Sequence, residues 1–466
     1  MRIKTVLQFG LLVYLIATGL GCTGADPITV DPNSPGVSQL RFVSDLVARF
    51  NPDTGQVWIA APPGWAASET EVRVSVPGDL PRRILSLTDG SFLYRFAGTA
   101  ESTATVAWID PGNAKHEETL AVTAPEDTID RDIASAGLYA NRMTASEDVV
   151  WVVNSGDDEL ASYDIETLQP GGMAVSAPQY SNPWEAAFGK GSNGLLTTLF
   201  GGVLGFDTAT GETVEVDTNY LRPFASPNGV TILGDFGWVT NPNPVSYFPT
   251  QFEQGWVSRI ELSGDPHVDD EIDTPWFNPQ HIISDGTDIY ISCSGTIDFV
   301  PPDYIATALD AGGILVVDEQ NKVLTTYELG VCGPGPMALS PDGMFLYIGS
   351  GVSGSLFRID LQKETVLNDA SNPIVLDDFP GTFISFIEVS PTGLMACGSF
   401  NTDTIRFVDS LTGEVNPFPF FEPVSIDGGN PDTYYGPQDA VFVTRGGENG
   451  LLILTTVISG FHWLPI

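Results

Sequence analysis

A short phrase recurs from about residue 140 onward: a polar or small residue, a proline, then two residues of changing type. It reads Asn182-Pro-Trp-Glu185, Ser226-Pro-Asn-Gly229, Asn278-Pro-Gln-His281, Gly335-Pro-Met-Ala338 and Gly436-Pro-Gln-Asp439. Aligning two further segments on the turn that follows puts Asn141-Arg142-Met143 and Phe386-Ile387-Glu388 in the same slot. If these phrases open strands around one axis, Glu185, His281, Glu388 and Asp439 converge at the mouth of a channel. Arg142, Trp184, Asn228, Gln280 and Gln438 then stand beside them. Three carboxylates and an imidazole suit a divalent cation such as calcium or zinc. Such a cation would polarise a carbonyl while one carboxylate served as general base. The plainer account is structural: proline presets a strand entrance where a missing N–H is harmless, and polar side chains at a wetted mouth follow from solvation alone.

Other chemistry finds little support. No Ser-His-Asp order stands out, and Gly-x-Ser-x-Gly and His-Glu-x-x-His are absent. Gly349-Ser-Gly-Val-Ser-Gly-Ser355 lies between strands and reads as a loop, not a phosphate cradle. Asp157-Asp-Glu159 and Asp269-Asp-Glu271 lack EF-hand spacing and read as solvated faces. His116, His267 and His462 have no partner at useful spacing. Setting Cys22 aside leaves Cys293, Cys332 and Cys397 with no Cys-x-x-Cys, so a cysteine zinc site or haem attachment is unsupported. A Cys293–Cys332 bridge is sterically conceivable, while buried free thiols would behave as small hydrophobes.

The elements that position the slot residues follow from a repeat. A short strand ends in an acidic residue before a polar turn at Asp164, Asp207, Glu261, Asp318, Asp360 and Asp409, with spacings of 43, 54, 57, 42 and 49 residues. That period suits one four-stranded propeller blade. A turn followed by an apolar strand carrying an aromatic precedes most copies, as in Ser340-Pro-Asp-Gly-Met-Phe-Leu-Tyr347, and the aromatics Trp151, Trp238 and Tyr290 hold equivalent places. Asp-Gly supplies the positive-φ turn, and the aromatic fits between neighbouring blades.

With its Ser-Pro-Asp-Gly turn, aromatic strand and acidic strand end, the chain resembles the YVTN-type and lactonase-like β-propellers. The resemblance implies a fold and carries no catalytic motif. Six acidic turns give six blades. Gln438–Thr444, Gly450–Val457 and Gly460–Ile466 supply three strands of a seventh. Its fourth strand is expected from within 124–136, closing the ring and removing a sheet edge. The expected fold is therefore all-β, with a seven-bladed propeller over 124–466. Residues 38–123 show short alternating strands, among them Val57–Ala60 and Ala104–Ile109, that suit a small immunoglobulin-like β-sandwich. A competing reading takes Asn51-Pro-Asp-Thr-Gly and Trp108-Ile-Asp-Pro-Gly as further blade turns in a larger propeller.

Residues 1–22 read as an export signal: Arg2 and Lys4 precede an apolar run too short to span a membrane. The ending Thr18-Gly-Leu-Gly-Cys22 resembles the lipobox of bacterial lipoproteins, with Gly19 where leucine is usual. The resemblance implies acylation of Cys22 and a lipid-anchored monomer in the bacterial cell envelope, at the outer membrane. Residues 23–37 read as a flexible tether. The 466 residues hold 59 Asp+Glu against 19 Lys+Arg, a formal charge of -40, which disfavours nucleic acid as a partner. The favoured expectation is a surface-anchored, non-enzymatic binding or scaffold lipoprotein for a protein, peptide or glycan. The alternative is a metal-assisted hydrolase or lyase at the channel mouth.

Overall fold

The computed structural model describes residues 38–466, except 53, 78–80, 101, 123–128, 147, 248–249, 301–304, 418, 421 and 429–433. The leader 1–22, Cys22 and the tether 23–37 lie outside the described residues. Among those described, regular structure is strand, with two short 3-10 turns at Ser38–Phe42 and Phe400–Thr402. None of their helices is long and apolar enough to cross a membrane. The chain divides into two compact units, Met1–Ala124 and Pro125–Ile466.

In the first unit a three-stranded sheet (Val47–Asn51, Gln56–Ala61, Phe92–Ala97) and a four-stranded sheet (Arg82–Leu85, Glu71–Ser75, Thr103–Ile109, Lys115–Ala121) share one core. Alternation sets which side chains enter it: Val57, Ile59 and Ala61 on one strand, Ala104, Val106 and Trp108 on another. Val47–Asn51 pairs antiparallel with Gln56–Ala61, and Thr103–Ile109 with Lys115–Ala121, so the phrases at 51 and 108 fall within this unit's own hairpins.

Among its described residues the second unit holds seven antiparallel sheets of four or five strands, which we number one to seven in chain order. Their first strands are Ala140–Ser146, Pro183–Phe188, Val230–Leu233, Pro279–Ser284, Pro334–Leu339, Ile384–Val389 and Pro437–Arg445. Sheets one to six take each successive strand outward, and small hairpins (Pro244–Tyr247 with Thr250–Phe252, Ile297–Val300 with Ile305–Ala308) interrupt sheets three and four. Sheet seven takes its outermost strand, Asp130–Ser135, from the start of the unit. Each first strand packs beside the next, and that of sheet seven packs back on that of sheet one.

The recurring residues have structural jobs. Asp164, Asp207, Asp318, Asp360 and Asp409 end third strands and accept backbone N–H groups of the following turn, such as Thr167 N–H at 2.7 Å and Leu411 N–H at 2.9 Å. The aromatics wedge between sheets. Trp151 lies in a cluster with Leu196 and Phe206, Trp238 with Ile282 and Leu315, Tyr290 with Met337 and Ile348, and Tyr347 with Ile384 and Met395. Cys293, Cys332 and Cys397 are free and buried in the same layers, so the conceivable Cys293–Cys332 bridge is not formed.

Candidate functional site

The slot residues owe their placement to a repeated irregularity. In sheets one, two, four, five, six and seven the first-strand ladder slips just after its opening residue, which is proline in sheets two, four, five and seven. Proline there sacrifices no ladder bond, and the slip leaves an extra residue, a bulge that re-aims neighbouring side chains. Past the slip, Arg142, His281 and Asp439 stand opposite Val153, Ser292 and Leu454, each the next-to-last residue of its second strand. Glu185 holds the same level, its N–H donating to Thr197 Oγ1 at 3.1 Å; that hydroxyl donates to the Asn228 carbonyl in sheet three at 2.6 Å.

Arg142, Glu185 and Asp439, from sheets one, two and seven, line one cavity of about 70 Å³ together with Met143, Trp151 and Phe188. Arg142 Nη1 donates to the Gln438 carbonyl at 3.1 Å. Asp439 accepts from Met143 N–H at 2.8 Å and from Ala440 N–H at 3.0 Å. Among the described residues Arg142 donates to carbonyls and not to a carboxylate, and Glu185 Oε2 is buried without a partner.

Some contact with solvent remains for these side chains, but protein surrounds them, and that burial dominates their ionisation. It pushes Glu185 up to about 8; Arg142 opposes the rise and Asp439 adds to it. Glu388 is pushed up to about 8 by burial and by Asp439. Burial also raises Asp439, against the pull of Arg142 and the two N–H donors. His281 falls to about 3 through burial and the nearby Arg142. At neutral pH Glu185 and Glu388 therefore hold protons, His281 is neutral, and Arg142 supplies the positive charge.

The register departs from the sequence phrase at three points; in sheet five the strand opens at Pro334, and Ala338 stands opposite Tyr347, deeper than the ring. In sheet six Ile384 is the opening residue, so Glu388 sits opposite Ala396, about two residues deeper than Glu185, His281 and Asp439. In sheet one Arg142, not Met143, takes the level of the ring. Alignment on the following turn missed all three because bulge and turn lengths vary between sheets. Among the described residues, no three His, Cys, Asp or Glu side chains form a group that could hold a metal ion. Glu185, His281, Glu388 and Asp439 thus do not make the expected calcium or zinc ligand set; one is displaced along the channel, and a guanidinium stands among the others. Of the remaining slot residues, Asn228 is 9% exposed with Oδ1 unpartnered, Trp184 Nε1 also lacks a partner, and Gln280 Nε2 donates to Asn278 Oδ1 at 3.1 Å.

No protein-family model matches the chain, and no curated protein does. Solved structures do. A streptogramin B lyase superposes at TM-score 0.52 with 12% identity, covering 72% of this chain and 96% of its own. Virginiamycin B lyase from Staphylococcus aureus gives 0.51 and 13%, covering 73% and 96%. A catalytically inactive variant of that enzyme with quinupristin gives 0.51 and 13%, covering 72% and 98%. The fold is a β-propeller. At this identity the likeness speaks for architecture alone, so the chemistry of the channel rests on the propeller's own side chains. A guanidinium and a protonated carboxyl facing one small cavity can hold a ligand oxygen. A carboxyl that titrates near neutral pH can also pass a proton.

Proposed function

We propose that the seven sheets are blades of a seven-bladed propeller, that the first unit is a small immunoglobulin-like sandwich, and that the channel mouth is an acid–base site of lyase type acting on a cyclic ester. The observation that carries this reading is the convergence of Arg142, Glu185 and Asp439 on one cavity, with Glu185 Oε2 left unpartnered. Glu185 in its carboxylate form takes a proton from a carbon that is next to a carbonyl and also bonded to the carbon bearing the ring ester oxygen. The ring C–O bond breaks with its electron pair on the departing carboxylate, and an alkene remains. Arg142 faces the negative charge that develops, its guanidinium already in place. The step rearranges one molecule and needs no second reactant. The solved neighbours are named as lyases, so the architecture is compatible with this class of chemistry. The positive charge asked of a divalent cation in the sequence reading falls to Arg142.

The leader and Cys22 support an envelope location: the acylated protein is a monomer tethered to the outer membrane. Labelling with a palmitate analogue, lost on Cys22→Ser, tests the anchor.

To test the chemistry, quinupristin and a set of simple lactones are incubated with the protein and followed by mass spectrometry. Ring opening without change of mass is expected, falling by at least about a hundredfold in Arg142→Met and in Glu185→Gln. Intact lactones throughout, or unchanged rates in both variants, would overturn the proposal; gain of a water mass would replace elimination by hydrolysis.

A further inference from the structure

The two ends of the propeller differ in character. Every loop that leads into a first strand exposes a large apolar side chain: Tyr139, Tyr180, Tyr220 and Phe277 for sheets one to four. Val331, Phe379 and Tyr434 do the same for sheets five to seven. The turns between second and third strands lie at the same end and add Phe200, Phe299 and Val457. Hydrogen bonds from this end of one sheet to the opening of the next align them, as Ser155 Oγ donates to the Pro183 carbonyl and Ser294 Oγ to the Pro334 carbonyl at 2.6 Å. The unit's other exposed large apolar side chains either share these loops, as Leu138, Val245 and Leu309 do, or lie on outer strands; among the described residues none is on a turn at the opposite end. A soluble surface scatters such residues singly; gathering them at one end marks an interaction surface.

Basic side chains are sorted the same way, while carboxylates are exposed at both ends. Among the described residues, the loops at the apolar end carry one basic side chain, Arg222, and it is engaged by Glu271 at 2.9 Å and Asp273 at 2.7 Å. Asp157, Asp217, Glu253, Asp310 and Asp378 are exposed there. Lys190, Lys322 and Lys363 all stand on turns at the other end.

We propose that this face docks a basic polypeptide segment bearing apolar side chains, which lie against the exposed rings while the surrounding carboxylates hold its lysines or arginines. The sorting of charge selects the occupant. An anionic lipid surface or a second copy of this face would be repelled, and an uncharged glycan would leave the carboxylates unanswered. The face rims the mouth that leads, a few residues further along the first strands, to Arg142 and Glu185; its test reads peptide binding and not ring opening, so the two proposals fail separately.

The test uses a fluorescent peptide of alternating lysine and leucine, a version with serine for leucine, and fluorescence anisotropy on the full chain. Saturable binding is expected, weakened at least tenfold by the triple variant Tyr180→Ser, Phe200→Ser, Tyr220→Ser, and weakened again as salt rises from about 0.05 to about 0.5 M. Because all three side chains are exposed, circular dichroism and melting should match wild type. The control Val323→Ser, Leu324→Ser on an outer strand should bind normally. Equal binding of the serine peptide, equal loss in the control, no saturable binding, self-association of the chain, or a preference for anionic vesicles would each overturn the proposal.

Discussion

Replacing Glu185 by glutamine keeps the shape of the side chain and removes its titration, which makes the ionisation behind the proposed chemistry directly measurable. Burial carries the carboxyl from 4.5 to about 8. At about 1.4 kcal/mol for each tenfold change in proton affinity, the full displacement is worth about 5 kcal/mol. Water reaching the channel raises the effective dielectric and reduces this to about 2 kcal/mol. The sign follows from linkage: the folded state binds this proton more tightly than the unfolded chain does, so the stability it contributes is complete below pH 4.5. It drains away as pH rises toward and through 8. Melting curves between pH 5 and 9 should therefore show wild type losing stability with pH. Glu185→Gln should lose less, ending about 4 °C above wild type at the alkaline end. Glu388→Gln should recover a comparable part. Superimposable wild-type and Glu185→Gln profiles would show that Glu185 ionises as an ordinary surface carboxylate, and its role as acid and base would fall.

The closing strand offers an opposite pH response. His462 is 0% exposed, accepts Asp132 N–H on Nδ1 at 3.3 Å and meets the Tyr435 ring at 4.9 Å. Burial lowers it to about 4, against the pull of Asp132. Its contribution is complete above pH 6.5 and lost as pH falls through 4, so His462→Asn should flatten the acid limb of the melting profile by about 2 kcal/mol. Burial pushes the Cys293 and Cys332 thiols up to about 12, and iodoacetamide at pH 8 should leave both unmodified until denaturant is added, as mass spectrometry of tryptic peptides would show.

The strands were legible because their signals are periodic and local. Alternation marked Ala104, Val106 and Trp108 as one buried face, and the acidic strand ends recur because each folds its own turn with a side-chain oxygen. The closing contact of Asp130–Ser135 with Gly460–Pro465 has no local signature. Asp130, Asp132 and Ser135 look like loop residues, and only the shortage of strands at the far end of the chain points to them. The metal set failed for a related reason. It assumed equal depth for residues aligned on a turn, whereas a bulge of one residue, or an opening residue other than proline, moves a side chain along the channel by about 3.3 Å per residue.

The site was hardest to read because a repeat conceals what it does not repeat. The hydroxyls of Thr167 and Ser192, and then turn N–H groups, hold Asp164 and Asp207 below their usual range; the recurrence of such aspartates reflects turn-building work repeated from sheet to sheet. The residues of the slot change from sheet to sheet, so no periodicity singles them out. Arg142 is the only basic residue among them, a departure visible in the sequence and without meaning until the register placed it level with Glu185 and Asp439. A guanidinium held near carboxyls without pairing to any of them stays positive and keeps donors free for a ligand oxygen. In a chain of charge -40, a basic residue at that position runs against the composition of everything around it, and that opposition is the strongest reason to assign it a role in binding.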